Sequence, residues 1–228
     1  MNSASSSPAA RHGVQGIGMT SQRTRARMIE RLRQKGIANE RVLQAMSAVP
    51  RHIFVEEALA SRAYEDTALP LGLGQTISQP YIVARMIELL LNNRPGLGKT
   101  LEVGTGCGYQ AAVLAQLSPE VYSVERLAAL LDKAKTHMRV LQQFNVRLKL
   151  ADGHFGLPEA APFDSIIVAA AGAAIPADLL RQLAPGGRLV LPVGGESQYL
   201  CMLEYTSEGF VETRLDPVRF VPLLPGIQ

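Results

Sequence analysis

The chain has 228 residues, is 47% hydrophobic and carries a formal net charge of +3 at pH 7. That is enough to bury a sizeable core in one large domain, and the slight positive balance, with only 5% aromatic residues, argues against a nucleic-acid binder. No apolar run reaches membrane-spanning length, and two cysteines, Cys107 and Cys201, make neither a disulfide framework nor a metal-ligand spacing.

In chain order, residues 1–18 have the Ser-, Pro- and Gly-containing composition of a disordered tail, with Met19 a candidate start. No signal-peptide pattern opens the chain, so the expected compartment is the cytoplasm. Residues 19–228 are expected to form a single domain, in which 19–95 make a helical subregion with a substrate loop and 96–228 an α/β core. From Ser21 to Lys35 the stripe Met28, Ile29 and Leu32 predicts a short amphipathic helix ended by Gly36. The arginines at 23, 25, 27, 31 and 33 read as its solvated face rather than as a nucleic-acid arm. Asn39 is placed to cap a second helix through Ala48.

The stretch Ala68 to Tyr81 is expected to be a loop, with Gln75, Thr76, Ser78 and Gln79 as its uncharged polar residues. It leads into a helix whose apolar stripe is Ile82, Met86, Leu89 and Leu90, with Pro80 suited to the first turn. Ser78 then has two readings, an N-cap for that helix or part of a substrate loop, since loops on rigid scaffolds tend to carry function.

The centre of the chain is Thr100-Leu-Glu-Val-Gly-Thr-Gly-Cys-Gly-Tyr109, a buried strand that runs through a glycine turn into a helix. The dinucleotide fingerprint needs G-x-G-x-x-G facing a pyrophosphate. Here the pattern is G-x-G-x-G, and Glu102 precedes it. A carboxylate there repels a pyrophosphate and suits a cationic amino or sulfonium group. About twenty residues on, Glu125 ends a second strand, where a carboxylate can accept both ribose hydroxyls. A nucleoside without pyrophosphate points to S-adenosyl-L-methionine. Cys107 inside the turn reads as a small filler, because no His neighbours it in sequence.

Beyond it the elements alternate. Helix is expected over Leu127–Phe144, strand over Val146–Leu150 with Asp152 and Gly153 at its carboxyl end, and strand over Phe163–Ala170. A helix over Asp178–Leu183 and a turn at Pro185-Gly-Gly187 precede a strand over Arg188–Val193, and two antiparallel strands close the sheet. The pattern predicts an α/β fold built on a doubly wound, mostly parallel seven-stranded sheet.

Taken together, Gln75-Thr-Ile-Ser-Gln-Pro-Tyr81, the glycine turn, Val124-Glu-Arg126, Asp152-Gly153, Leu183-Ala-Pro-Gly-Gly187 and Arg219-Phe-Val-Pro-Leu223 closely resemble the bacterial protein-L-isoaspartate O-methyltransferases. The glycine motif is common to many methyltransferases; the Thr-Ile-Ser-Gln-Pro loop and the closing segment make the resemblance specific. Ala169-Ala-Ala171 departs from it, standing where Thr-Ala-Ala is frequent, as does Ala151, where Gly is frequent.

The resemblance implies methyl transfer to the free α-carboxyl of L-isoaspartyl residues in damaged proteins, after which the ester collapses to succinimide. It implies Ser78 as the catalytic residue. Gly104 and Gly106 then line the methionine part of the cofactor, Glu125 meets the ribose, and Asp152 and Gly153 meet the adenine. Gln75 and Thr76 close over it as a lid, Val218–Pro222 pairs with the substrate backbone, and the protein is a monomer. A carboxylate is already a nucleophile at neutral pH, so no strong general base is called for; no metal, membrane or nucleic-acid partner is expected. A small-molecule or RNA methyltransferase is the alternative; an NAD-dependent oxidoreductase and a non-catalytic binding module fit less well.

Overall fold

The computed structural model describes residues 16–228. The expected tail lies outside them apart from its last three residues, and Gly18 already opens a 3-10 turn.

Helix α1 spans Gln22–Gln34, its start capped by the Ser21 hydroxyl, which accepts the Thr24 N–H. Gly36 ends it with φ +97°. The Gly36 N–H donates to Arg33 and the Ile37 N–H to Leu32, so a left-handed residue closes the last turn and tucks Ile37 into the core. The arginines of α1 are mostly exposed, but Arg25 is buried. Its Nε donates to the Tyr64 hydroxyl at 3.1 Å and its Nη1 to the Ser47 carbonyl at 2.9 Å. These acceptors offset the cost of burying that guanidinium. Helix α2, Glu40–Ala48, is capped by Asn39, whose Oδ1 accepts from Arg41 and Val42.

The expected loop before the next helix is instead a small hairpin, β1 (Leu69–Gly72) against β2 (Gln75–Ile77). Leu69, Leu71 and Ile77 point into the core, and Leu73 and Gly74 turn the chain at φ +53° and +69°. Helix α3, Pro80–Leu91, has Pro80 in its first turn. Ser78 does not cap it: the Asp66 carboxylate accepts the Tyr81 N–H at 2.9 Å.

The main sheet comprises β3 (Lys99–Val103), β4 (Glu120–Glu125), β5 (Val146–Leu150), β6 (Phe163–Val168), β7 (Leu183–Gly194), β8 (Gln198–Thr206) and β9 (Gly209–Val218). Their order is β5-β4-β3-β6-β7-β8-β9; β3 to β7 run parallel, and β8 and β9 are antiparallel additions. Helices α4 (Tyr109–Leu114), α5 (Ala128–Val140) and α6 (Ala177–Arg181) make the crossovers. The strand expected from Arg188 starts earlier: Phe163 pairs with Leu183 and Ser165 with Arg188, and Pro185-Gly-Gly187 bulges out between them.

Successive strand residues enter opposite layers. Ile167 and Val190 join the core under α1 to α5, whereas Ile166, Val168, Leu189 and Leu191 join the core under α6. A sheet covered on both faces needs apolar residues at nearly every position, hence the continuous runs in β6 and β7. From β3 the chain winds outward to β5, then returns to the other side of β3 as β6. Between β3 and β6 a crevice opens at the strands' carboxyl ends.

Candidate active site

The main cavity lies in that crevice, over the glycine turn. Gly104, Gly106 and Gly108 take φ of +93°, +55° and +89°, a region that only glycine enters at little cost. The turn is held from β4. Gly104 and Thr105 N–H both donate to the Val124 carbonyl, at 2.9 and 3.2 Å. Glu125 Oε2 accepts the Gly106 N–H at 2.8 Å, while its Oε1 accepts from the backbones of Arg126 (2.8 Å) and Leu127 (3.0 Å). The Glu125 carboxylate, 6% exposed, is therefore fixed at the cavity wall by backbone amides.

Glu102 is placed differently from its expected role as the cavity's own anion. It is fully buried and absent from the cavity wall. The Ser123 hydroxyl donates to its Oε2, and the Thr105 and Ser123 hydroxyls lie 2.6 Å apart, so Glu102 ties β3, β4 and the turn together from beneath. Burial pushes its pKa up to about 8, against the lowering pull of Ser123 and Gln110, and the nearby Glu125 charge adds to the rise. At neutral pH the group is mostly uncharged. Cys107 is buried too, and desolvation raises its thiol to about 11, which fits a filler and not a nucleophile.

Gly153 reaches the cavity, but the Asp152 side chain does not. Partial burial works to raise the Asp152 pKa, yet the Gly226 and His154 N–H groups outweigh it and hold the carboxyl below its usual value. The first donates to Oδ2 at 2.6 Å and the second to Oδ1 at 2.9 Å. The end of the chain thereby crosses the sheet's carboxyl edge. The Leu223 N–H donates to Ala171 and the Arg126 Nε to the Gly226 carbonyl, and Val221 to Leu224 roof the cavity. This roof was not among the cofactor contacts expected from the sequence, because the segment has no periodicity to announce it.

Opposite the roof, β2 and the residues after it supply Gln75, Thr76 and Ser78. A second cavity, a surface groove, runs past Thr76 and Ser78, between Asp66 to Ala68 on one side and Pro217 to Val221 on the other. Ser78, partly buried, faces both.

Residues 23–228 match the family described as protein-L-isoaspartate(D-aspartate) O-methyltransferase. The chain belongs to that family. A protein-L-isoaspartate O-methyltransferase of Dechloromonas aromatica is 78% identical over 215 residues, covering 94% of this chain and all of the relative. One from Methylobacillus flagellatus is 61% identical over 93% of this chain and 97% of its own length. Among solved structures, a protein-L-isoaspartate O-methyltransferase aligns with TM-score 0.80 at 26% identity, over 89% of this chain and 67% of that one. Another, a beta-aspartate methyltransferase from Plasmodium falciparum in complex with S-adenosyl-L-homocysteine, aligns with TM-score 0.76 at 26% identity, over 88% and 98%.

The residues of the main cavity suit the family's cofactor. Gln110 lines the cavity with its buried side chain turned toward the Glu102 carboxyl behind the wall. The glycine turn offers backbone without Cβ atoms, and Glu125 offers a fixed carboxylate. No helix of the described residues is long and apolar enough to cross a membrane, and no cluster of three or more His, Cys, Asp or Glu among them could hold a metal.

Proposed function

We propose that the main cavity seats S-adenosyl-L-methionine, that the groove seats the isoaspartyl segment, and that Ser78 acts where the two meet. The reaction is the one that the family performs: a methyl group moves from S-adenosyl-L-methionine to the free α-carboxyl of an L-isoaspartyl residue in a damaged protein. The resulting ester reverts to succinimide, and part of it hydrolyses to normal aspartate. The observation that carries our assignment of the site is the position of Ser78, on the wall of both cavities at once.

The cofactor supplies an activated methyl on a cationic sulfur. Glu125 accepts the ribose hydroxyls, and the turn at Gly104 and Gly106 lies along the methionine part. Gly153 borders the adenine, with Asp152 supporting it by holding the chain end. Gln75 and Thr76 close the hairpin side. Glu102 acts from behind the cavity wall: through Ser123 and Thr105 it fixes the turn. Ser78 donates a hydrogen bond that orients the substrate carboxylate. No general base is required, because that carboxylate is ionised at neutral pH, and its orientation is what lowers the barrier. Val218–Pro222 runs beside the groove as an extended segment on which a substrate backbone can lie. Following the family resemblance, the state we propose is a monomer and the compartment the cytoplasm.

The test uses methyl-labelled S-adenosyl-L-methionine with paired peptides that differ only in isoaspartate against aspartate. Base-labile label in the isoaspartyl peptide alone is expected. Equal labelling of both peptides would overturn the substrate assignment.

A further inference from the structure

Ser78 stands between two anchored stretches of chain. On one side Ile77 closes the hairpin opposite Leu69. On the other, Pro80 opens α3 with its ring-locked φ, and Gln79 before it is extended, with ψ 134°. The side chain that ties the second stretch down is Asp66, three residues before Leu69 and on the wall of the groove. Its Oδ1 accepts the Tyr81 N–H at 2.9 Å. Its Oδ2 accepts from the Gln79 side-chain amide at 3.1 Å, and the same amide donates to the Asp66 carbonyl at 3.0 Å. Lys35, just past α1, pairs with Oδ2 as well, and its ammonium lies 5.6 Å from the centre of the Tyr81 ring. Residues 66 to 69 thus grip the chain both before and after Ser78, and none of these contacts uses the Ser78 hydroxyl.

An acid on the wall of a groove that receives a carboxylate would repel it. Here Lys35 offsets the charge, and the Asp66 side chain is only 9% exposed, with both oxygens turned to donors of the protein itself. Asp66 is therefore spent on the chain and not on the substrate. We propose that Asp66 is a positioning residue for the methyl transfer: through Gln79 and Tyr81 it fixes the backbone of Ser78, and with it the place of the hydroxyl that meets the substrate carboxylate. The idea rests on the role given to Ser78 above. A serine hydroxyl turns about one heavy-atom torsion with three staggered positions, so an anchored backbone leaves its oxygen few places to be. Without the clamp the whole residue can shift, and a misplacement near 1 Å costs about 100-fold in rate. A residue that acts only through Ser78 should cost no more than removal of the hydroxyl itself.

The test is a double-mutant cycle in kcat at saturating isoaspartyl peptide, comparing wild type, Asp66→Ala, Ser78→Ala and the two together. Asp66→Ala is expected to lower kcat by about 10-fold while Ser78 is present, and by less than about 2-fold once Ser78 is already alanine. Affinity for S-adenosyl-L-homocysteine, measured by calorimetry, should stay as in wild type. A loss of similar size in both backgrounds would reduce Asp66 to a support of the fold and overturn the proposal. Unchanged kcat in Asp66→Ala, or a loss matched by loss of S-adenosyl-L-homocysteine binding, would overturn it too. If Asp66→Ala fails to fold, Gln79→Ala, which leaves the Tyr81 contact in place, takes its position in the cycle under the same criteria. Full kcat in Ser78→Ala alone would sink the role of Ser78 and the clamp with it, whereas an impaired Ser78→Ala beside equal Asp66→Ala losses would sink the clamp only.

Discussion

The Glu125 carboxylate accepts the Gly106 N–H at 2.8 Å, joining the end of one strand to the middle of the neighbouring strand's glycine turn. One side chain therefore does two things: it presents charge to the cavity and braces the turn that forms the cavity floor. Glu125→Ala removes both. Hydrogen bonds to a charged group contribute about 1.5–3 kcal/mol, so affinity for S-adenosyl-L-homocysteine should weaken by roughly 10- to 100-fold in isothermal calorimetry. Unchanged affinity would remove Glu125 from the ribose site.

Ser78 is expected to split the kinetic constants differently. It adjoins the cofactor cavity without bracing it, so Ser78→Ala should lower turnover by about 10- to 100-fold. S-adenosyl-L-homocysteine should bind as before. Full activity, or lost cofactor binding, would refute its role in orienting the carboxylate.

Glu102 gives a prediction about pH. Its folded pKa, raised to about 8 by burial, lies above the ordinary carboxyl value of 4.5. The folded state thus holds a proton that the unfolded chain releases. The associated stability is fully present below pH 4.5 and declines as pH rises through about 8, beyond which no more is lost. Glu102→Gln cannot ionise, so relative to wild type it should gain stability between pH 5 and pH 8. Urea titrations at the two pH values measure it, and a difference that stays constant would contradict a neutral buried carboxyl.

Gly153 tests packing at the cavity rim. A Cβ there would stand 2.4 Å from Val103 Cγ1, at the carboxyl end of the core strand β3. Overpacking of this kind costs about 1–3 kcal/mol. Gly153→Ala should therefore lower the melting temperature measurably, and an unshifted transition would mean that β3 can yield at Val103.

The sheet was legible in the sequence because its physics is repetitive. Leu101 and Val103 face one buried layer and Ile166, Ile167 and Val168 serve both, and the breaks at Gly104 and Ala151-Asp152 follow the ends of β3 and β5. The hairpin at Leu69–Ile77 was hidden because its turn uses Leu73 in the left-handed region, where a glycine or asparagine is the usual signal. Site residues divided along similar lines. Ser78, Glu125, Gly104, Gly106 and Gly153 sit on the cavity wall, as do Gln75 and Thr76. The direction of a side chain was not readable: nothing in Leu-Glu-Val says that Glu102 turns beneath the strand toward Ser123. Nor could residue spacing show that Asp152 accepts the Gly226 N–H, 74 positions along the chain.

That closing segment bears on how the protein can be handled. The Gln228 N–H donates to the Arg126 carbonyl and its own carbonyl accepts from Ala128, both at 2.8 Å, so the last residue is stitched to the first turn of α5. An affinity tag or fluorescent fusion appended there would tug on the roof of the cavity. Purification handles and surface tethers belong at the opposite terminus.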